Sequence, residues 1–395
     1  MTAASKHNEN PIYYLGHNNA PAVTDEERVV SLAAVTKMDY IADVLNRIGR
    51  PVHFISMAGP VRGSDCKGGT FALSDGASLT LWPARPKGGK LNGLLNYIQL
   101  RRKTEEFLAS LGPKDVVVCY HSLEFCDLLP RAKRRAGFRL ILEVEELYSD
   151  VTGRAFDLKR ERRSFEAADA FIFPTRLLAK KVGVSGRPYA LCSGIYKVSP
   201  HLAEKRDDGI VHVVYAGTLD PRKGGAAAAA AAGAFLDANY AMHILGGGSD
   251  LQVNAIMGAV EEANASSRGC RITYEGLKSG REFDEFVQSC HIGLSPQNPT
   301  ASFNFTSFPS KVFTYLSNGL DVVSVDLPVF EGEFRGALTV CPDNAPETLA
   351  KAIEKSLSDP KTSPAELLAK LDERFTRELQ IVLGCDLRCQ SSSAR

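Results

Sequence analysis

A chain of 395 residues is longer than one compact domain usually is, and it predicts two domains. Hydrophobic residues make up 44% and charged residues 24%, ordinary values for globular proteins that exclude a disordered or fibrous chain. No segment approaches the roughly 18 uninterrupted apolar residues of a membrane-spanning helix, and the N-terminal segment lacks a signal peptide's apolar run, so the sequence predicts a cytoplasmic protein.

The charge is unevenly distributed along the chain. The net charge of +1 argues against a strongly electrostatic nucleic-acid binder. Residues 1–200 nevertheless carry 29 Lys and Arg against 21 Asp and Glu, a net charge of +8, whereas the remainder carries −7. Much of the excess lies in two basic runs, residues 131–139 and 154–163, which predict either solvated helix faces or peripheral association with an anionic membrane.

Cysteines and metal-ligand types show no site pattern. The nine cysteines are scattered from Cys66 to Cys389 without paired spacing, which favours structural thiols over disulfides or zinc. Neither an Asp-x-Asp pair nor a His/Cys cluster occurs, so the sequence predicts neither a metal nor another cofactor.

The first half of the chain alternates between strand and helix patterns. Residues 1–27 are polar and predict a loose leader, so the fold is expected to begin near Arg28. Val29–Ala34 predicts a strand, Asp39–Ile48 has helical spacing, and Pro51–Ser56 predicts another strand. The alternation continues over Asn92–Leu108, Asp115–Tyr120, Phe125–Ala136, Arg139–Val144, Asp157–Ala167 and Ala170–Phe173. It predicts a parallel sheet with right-handed crossovers in a domain of residues 28–199.

A second alternation follows a polar segment, residues 200–209, that predicts an interdomain linker. It predicts a Rossmann-like domain over residues 210–363, with strands and helices over Val211–Ala216, Ala226–Tyr240, Ala241–Leu245, Leu251–Ala263, Arg271–Tyr274, Ser279–Ser289, Ile292–Ser295, Lys311–Ser317 and Val322–Val325. Residues 364–395 predict C-terminal helices that can cross back to the first domain. Two doubly wound domains predict ligand binding at the carboxyl ends of the strands, in the cleft between them.

Two segments of the second domain have the pattern of an anion site at the start of a helix. The first, VVYAGTLDPRKGG, places Gly217 at a turn and Arg222 and Lys223 just before a helix, where backbone N–H groups and cations stabilise a diphosphate. An ordinary strand-to-helix loop with exposed basic residues is the alternative.

The second segment is SFNFTSFPSKVFTYLSNGLDVVSV. Thr306, Ser307 and Ser310 can cap a helix there, Pro309 suits its first turn, and Lys311 adds a positive charge.

These pieces together resemble the nucleotide-sugar domain of the family 4 glycosyltransferases, which have the two-Rossmann GT-B fold. The resemblance covers roughly residues 28–360 and rests on Gly217, Lys223, Gly224, Ile244–Gly248, Glu275–Gly276, Ser295–Gln297 and the PSKVFTYLSNGLDVVS block. It implies α/β architecture with two doubly wound domains facing a central cleft, and transfer that retains anomeric configuration.

The resemblance also implies donor-binding residues. Lys223 and Arg222 would hold the diphosphate, Ser310 and Lys311 would lie close to it, and Glu275, Gly276 and Leu277 would neighbour the base. The full implied donor set is Gly217, Thr218, Arg222, Lys223, Gly247, Glu275, Gly276, Leu277, Thr306, Ser307, Ser310, Lys311 and Thr314. The sequence departs from the family at Thr306 and Thr314, which stand where it carries glutamates, and at Thr218, often an arginine.

The first domain contributes LEVEELYSD, an acidic segment at a strand end. Alternation places Glu143 and Glu145 on one face and Glu146 in the loop. Glu145 is the main candidate to contact the acceptor hydroxyl or the transferred sugar, with Glu146 second; a helix cap or a partner for arginines is the alternative. His121, at another strand end, could orient a hydroxyl or take a proton, or be structural. Lys37 is expected in a loop on the acceptor side, or as a surface cation.

The sequence therefore predicts a glycosyltransferase that uses a UDP- or GDP-sugar without a metal. Its acceptor is expected to be a saccharide, most simply lipid-linked, in cell-surface polysaccharide assembly. Two alternatives remain: a nucleotide-sugar epimerase, which would need more acid and base residues around the donor sugar, and a non-catalytic partner subunit, suggested by Thr306 and Thr314.

Overall fold

The computed structural model describes residues 10–384 except 65, 74, 75, 87, 222, 223, 302, 303 and 305. The chain divides into two units, each built around its own sheet. The first unit extends to Ser193 and resumes at Phe375, and the second unit is Gly194–Arg374.

The first unit contains a sheet of eight strands in the order β3-β4-β2-β1-β5-β6-β7-β8, parallel except for β3. Its strands are β1 Ile12–Gly16, β2 Val52–Ser56, β3 Gly69–Ala72, β4 Ser78–Leu81, β5 Val116–Tyr120, β6 Arg139–Glu143, β7 Ala170–Phe173 and β8 Tyr189–Leu191. Its helices are α1 Pro21–Thr24, α2 Leu32–Arg47, α3 Gly89–Ala109, α4 Leu128–Ala136, α5 Tyr148–Thr152, α6 Ala155–Ala167 and α7 Arg176–Val182.

The structure differs from the expected leader over residues 1–27, because β1 lies at the centre of this sheet. It pairs in parallel with β2 on one side and β5 on the other. Ile12, Tyr14 and Leu15 are buried, as in central parallel strands covered on both faces. Part of the predicted leader, residues 1–9, lies outside the described residues.

The predicted strand Val29–Ala34 is also wrong, because helix α2 begins within it. Ser31 is the N-cap, and its hydroxyl accepts a hydrogen bond from the Ala34 N–H at 3.5 Å. Val29 and Leu32 remain 53% and 78% exposed, so the apolar run does not enter the sheet. A capping serine therefore outweighs β-branched composition at this position.

The second unit contains a sheet of six strands in the order β11-β10-β9-β12-β13-β14, with parallel pairing throughout. Its strands are β9 Val211–Ala216, β10 Tyr240–Leu245, β11 Arg271–Gly276, β12 Ile292–Ser295, β13 Asp321–Val325 and β14 Leu338–Cys341. Its helices are α8 Gly225–Gly233, α9 Asp250–Ala265, α10 Gly280–Gln288, α11 Ser310–Ser317 and α12 Pro346–Ser356. The predicted alternation is present, extended by β14 and α12.

The alanine-rich segment forms α8, which ends at Gly233 and is shorter than predicted. Gly224 caps its start in the left-handed region, at φ 64°, where other residues are strained. Four of the alanines are buried in the core of the second unit: Ala226, Ala229, Ala230 and Ala232. Their small side chains let the helix pack closely on the sheet, as expected.

The predicted linker, residues 200–209, belongs to the second unit and is anchored along it. The Ala203 N–H donates to Gln288 Oε1 at 2.8 Å, the Arg206 N–H donates to the Ser289 carbonyl, and Lys205 Nζ donates to the Cys290 carbonyl. The division between units lies instead between Ser193 and Gly194.

The last helix, α13, spans Pro364–Leu383, so the predicted helical C terminus is present up to that point. Its residues from Phe375 onward group with the first unit. There the Glu378 carboxylate accepts the Leu191 N–H at 2.7 Å, and Arg139 donates to the Val382 carbonyl.

All seven cysteines in the described part of the chain are buried thiols, none of them disulfide-bonded, as the sequence predicts. Cys385 and Cys389 lie outside that part. No described group of three or more His, Cys, Asp or Glu could hold a metal ion. None of the described helices combines the length and the apolar character needed to cross a membrane.

Gly293 on β12 provides a stability test of the second unit. A Cβ at this position would stand 2.1 Å from Cγ of Tyr315, whose hydroxyl donates to the Leu294 carbonyl and accepts the Ala216 N–H. Gly293→Ala should lower the free energy of urea unfolding by about 1–3 kcal/mol through overpacking. Gly258→Ala on α9, where nothing lies within 4 Å of the added Cβ, should raise it slightly. Equal stability of the two variants would contradict this account of the Tyr315 packing.

Candidate functional site

The carboxyl ends of the second unit's strands bring the predicted glycines together. The Gly217 N–H donates to the Leu245 carbonyl at 3.0 Å, and the Gly246 N–H donates to the Gly276 carbonyl at 3.0 Å. Gly247 lies against Leu277, because an added Cβ would stand 3.2 Å from Leu277 Cδ2. Three strand ends thus form one backbone-lined edge, where N–H groups can approach a ligand closely.

Lys311 reaches this edge from α11. A Cβ on Gly217 would stand 2.3 Å from Lys311 Cε and 2.9 Å from Nζ, so the ammonium group lies directly against the glycine turn. Nζ also lies 5.2 Å from the centroid of the Tyr215 ring, and the Tyr215 hydroxyl donates to the Thr218 carbonyl. The structure therefore brings Lys311 against the turn formed by Gly217 and Thr218, although Gly217 and Lys311 are 94 positions apart in the sequence. The turn thereby gains a positive charge.

The start of α11 differs from the capping pattern that the sequence predicts. Pro309 is the N-cap rather than a first-turn residue, and it makes no side-chain capping hydrogen bond. Thr306 and Ser307 precede the helix, and Ser310 is its first residue. The Thr314 hydroxyl donates back to the Ser310 carbonyl at 3.3 Å, one turn earlier. The Thr314 hydroxyl thus makes a hydrogen bond within its own helix, at a position where the resembled family would present a carboxylate.

Glu275 lies on β11 with its carboxylate held inside the second unit. It accepts hydrogen bonds from the Thr273 hydroxyl at 2.6 Å and from His243 Nδ1 at 2.9 Å. Burial alone would raise its pKa, but these two hydrogen bonds outweigh burial and lower it. Gly276 and the 76% exposed Leu277 follow it at the edge. Backbone and leucine surface, rather than the Glu275 carboxylate, therefore face a ligand there.

Two predicted diphosphate-binding residues, Arg222 and Lys223, lie outside the described residues. Gly224 follows them at the start of α8. Gly225 is the next residue, and a Cβ there would stand 2.7 Å from the Tyr215 ring, so this turn must keep close to β9.

The first unit brings its acidic segment against Lys37. Lys37 lies on α2 and is 8% exposed, which corrects the expectation of a loop or surface position. Its Nζ donates to Glu145 Oε1 at 2.5 Å and to the Cys192 carbonyl at 2.6 Å. Burial alone would lower the Lys37 pKa, but the charge of Glu145 raises it. Glu143 and Glu145 therefore face the same side, as alternation predicts.

Glu143 is fully buried beside this ion pair. Its Oε2 accepts a hydrogen bond from the Tyr14 hydroxyl, and its Oε1 has no partner among the described residues. Burial, and next the charge of Glu145, raise the pKa of Glu143 to about 8. Burial therefore favours the neutral, protonated form of the Glu143 carboxyl group.

The raised pKa of Glu143 predicts that stability falls as the pH rises from about 4.5 to about 8. The folded state favours the protonated form, so its contribution is complete below the pKa of an unfolded glutamate and is lost as pH rises through about 8. Between about pH 4.5 and about pH 8 the folded state holds a proton that the unfolded state has lost, so the free energy of unfolding should fall by up to about 1.4 kcal/mol per pH unit and level off above about pH 8. Urea unfolding of Glu143→Gln should lack this slope, whereas the exposed Glu262→Gln should keep it. The same slope in both variants would contradict the assignment.

His121 lies in a buried cluster rather than at an open strand end. It is 2% exposed, and its Nε2 lies 3.0 Å from Glu161 Oε1. Glu161 also accepts the backbone N–H groups of Tyr148 and Ser149 at 2.7 and 3.0 Å. His121 thus helps to fix the segment that follows β6, which favours the structural alternative over direct catalysis.

Glu146, the second acidic candidate, opens onto a cavity of about 650 Å³ within the first unit. His17, Tyr120, Ser122 and Glu124 line the same cavity. None of these four residues was predicted as a site candidate from the sequence. His17 follows β1, in the segment read as a leader, and the aromatic run IYYLG was the signal that could have revealed that strand.

The basic runs of the first unit are partly engaged in ion pairs. Lys133 on α4 pairs with Asp169 at 2.6 Å, and Arg160 on α6 pairs with Asp127 at 2.7 Å. These pairs stabilise the packing of α4 and α6 and reduce the charge that remains for an external surface.

Comparison with known proteins supports the fold. No family model matches the sequence, and no curated protein matches it either. Sucrose-phosphate synthase from Thermosynechococcus elongatus is similar in structure, with a TM-score of 0.61, 16% identity, and coverage of 95% of both chains.

Two further structures align over nearly the whole chain. Anabaena HepE, solved with UDP and glucose, has a TM-score of 0.56 and 13% identity over 94% of this chain and 98% of its own. The α,α-trehalose-phosphate synthase from Burkholderia xenovorans, solved with glucose-6-phosphate, has a TM-score of 0.59 and 13% identity over 93% of this chain and 97% of its own. The chain therefore has the GT-B fold with two Rossmann-like units, which confirms the predicted fold class.

Proposed function

We propose that the protein is a glycosyltransferase that moves a sugar from a nucleotide diphosphate donor to a saccharide. The observation that carries this proposal is the placement of Lys311 against the Gly217 turn, at the carboxyl edge of a doubly wound sheet. Anionic ligands bind at such edges, where backbone N–H groups and a cation stabilise a diphosphate. The fold shared with sucrose-phosphate synthase and HepE supports the same activity.

In this proposal the second unit binds the donor. The diphosphate lies beside Gly217, Thr218 and Lys311, with Arg222 and Lys223 approaching from the loop before α8, and the base lies beside Gly276 and Leu277. Lys311 would stabilise the negative charge of the departing diphosphate, which is the role of fixed cations in such transfers. UDP is the favoured nucleotide, because HepE was solved with it bound. The donor site is of the family 4 type, apart from the threonines at 306 and 314.

The first unit supplies Glu145, which we assign to the acceptor hydroxyl or the transferred sugar. Lys37 holds its carboxylate in place at 2.5 Å. We further propose transfer with retention of configuration, no metal requirement, and a lipid-linked acceptor in the assembly of a cell-surface polysaccharide, for which the basic helices α4 and α6 offer a membrane-facing surface.

The test is isothermal titration with UDP, GDP and ADP, followed by an assay of UDP release from UDP-sugars with and without saccharides. Binding of UDP, with release stimulated by a saccharide, is expected. UDP binding without release with any saccharide or sugar donor would favour the non-catalytic partner, and sugar isomerisation without an acceptor would favour the epimerase. Failure of all three nucleotides to bind at millimolar concentration would overturn the proposal.

A further inference from the structure

The cavity of the first unit has the size and position of a ligand site. Its volume of about 650 Å³ lies within the range of small-molecule pockets. His17 follows β1, Tyr120 ends β5, and Glu146 follows β6, so the cavity lies at the carboxyl ends of three neighbouring parallel strands. Helix α3 forms another wall through Gly93 and Tyr97.

The lining combines aromatic rings with hydroxyl groups. Tyr97, Tyr120 and Tyr148 contribute rings and phenolic oxygens from three separate elements. Ser122 Oγ is buried and makes no hydrogen bond with the described residues. A buried hydroxyl without a partner is uncommon in folded proteins. Rings that cover apolar faces beside such polar groups suit the alternating C–H and O–H surfaces of a sugar.

The charged groups of the lining are carboxylates. Glu124 and Glu146 both face the cavity, and no Lys or Arg occurs among its described lining residues. His17 Nε2 lies 2.8 Å from Glu124 Oε2, and a hydrogen bond from His17 lowers the pKa of Glu124, which keeps it ionised. Burial, and next the charges of the neighbouring Glu145 and Glu161, raise the pKa of Glu146.

The nearby cations are directed elsewhere. Lys37 donates to Glu145 and to the Cys192 carbonyl. Arg101 on α3 pairs with Glu105 at 3.1 Å and donates to the Tyr97 hydroxyl at 3.4 Å, and its charge contributes to the lowered pKa of Glu124 without Arg101 being one of the lining residues. A phosphate in the cavity would therefore meet two carboxylates without a cation among the lining residues, and like charges at such distances oppose binding.

We propose that this cavity binds the acceptor as an uncharged sugar ring, and that Glu124 and Glu146 exclude phosphorylated sugars. The role of this sugar as the acceptor rests on the proposed function, whereas the selection for uncharged sugars rests only on the residues that line the cavity. This specificity contrasts with the trehalose-phosphate synthase solved with glucose-6-phosphate. The carboxylates accept hydrogen bonds from sugar hydroxyls, and the tyrosines complete the contacts.

The first experiment is saturation-transfer NMR on the full chain with matched pairs of sugars. Glucose, mannose, galactose and fructose are each compared with their 6-phosphates. At least one uncharged sugar should bind, with an affinity at least tenfold higher than that of its phosphate. A phosphate that binds as tightly as its uncharged partner, or an absence of binding by all four uncharged sugars, would overturn the proposal.

A cavity-filling variant locates the binding. Gly93 lies on α3 with nothing within 4 Å of an added Cβ, so Gly93→Phe can place its ring in the cavity without displacing the fold. It should lose at least fivefold in sugar affinity while its UDP affinity is unchanged. Gly258→Phe on α9, also with open space at its Cβ, is the matched control and should change neither. Undiminished sugar binding by Gly93→Phe would place the sugar elsewhere and refute the inference.

A charge-removing variant tests the selection itself. Glu124→Gln/Glu146→Gln should bring the affinity for the 6-phosphate to within about threefold of that for the uncharged sugar. Glu261→Gln/Glu262→Gln on α9 has the same change in net charge and should keep the wild-type discrimination. Unchanged discrimination in both variants would contradict the role of the two carboxylates. UDP titration of the same samples tests the proposed function separately, so either claim can fail without the other.

Discussion

Replacing Lys37 by methionine should lower the free energy of unfolding by about 3 kcal/mol, the usual cost of breaking a buried ion pair from one side. Lys37 is 8% exposed, and its ammonium group binds Glu145 and the Cys192 carbonyl. Without it, Glu145 loses its partner, and Glu143 loses the neighbouring positive charge that partly counteracts the rise of its pKa. Urea unfolding measured by circular dichroism gives the change directly.

The double variant Lys37→Met/Glu145→Gln should recover most of this loss, because neither partner then leaves an unpaired charge. Lys181→Met is the control, since the Lys181–Asp150 pair is exposed by 47% at both side chains and is screened by solvent. If Lys37→Met is as stable as Lys181→Met, Lys37 does not have the structural role assigned here.

Replacing Lys311 by alanine should weaken UDP binding by about 10- to 100-fold, the range expected when a charged hydrogen bond of about 1.5–3 kcal/mol is lost. Lys311 Nζ lies against the Gly217 turn, where the diphosphate is proposed to bind. Because Lys311 Nζ also lies 5.2 Å from the ring of the buried Tyr215, the stability of the variant without UDP is measured alongside its UDP affinity. Isothermal titration with UDP measures the effect.

The matched control is Lys351→Ala, which removes the same charge from an exposed position on α12 of the second unit. Its affinity for UDP should equal that of the wild-type chain. Equal weakening in both variants would indicate a general loss of positive charge, and unchanged affinity in Lys311→Ala would remove this lysine from the donor site.

Most of the fold was predictable because its strands are short apolar runs between helical patterns. Val211–Ala216 and Ile292–Ser295 were predicted with their observed bounds. β1 was missed because five apolar and aromatic residues lie within a polar segment, and sheet pairing from both sides decides their structure. The strand predicted over Val29–Ala34 was wrong for the opposite reason, because Ser31 caps α2 and the helix begins inside an apolar run.

The candidate site was predictable only where it follows from local pattern. Alternation placed Glu143 and Glu145 on one face, and the glycine turns marked the strand ends of the second unit. The pairing of Lys37 with Glu145 spans 108 positions and depends on how α2 packs on the sheet, which no local pattern encodes. The cavity needs His17, Tyr97 and Tyr148 from three distant segments. Long-range packing therefore supplies most of its chemistry.

A crystal structure of the full chain with UDP tests the central claim most directly. The account predicts that the diphosphate lies beside Gly217 and Lys311, with the uracil against Gly276 and Leu277. UDP bound in the cavity of the first unit, or at any position away from the carboxyl edge of the second sheet, would contradict it.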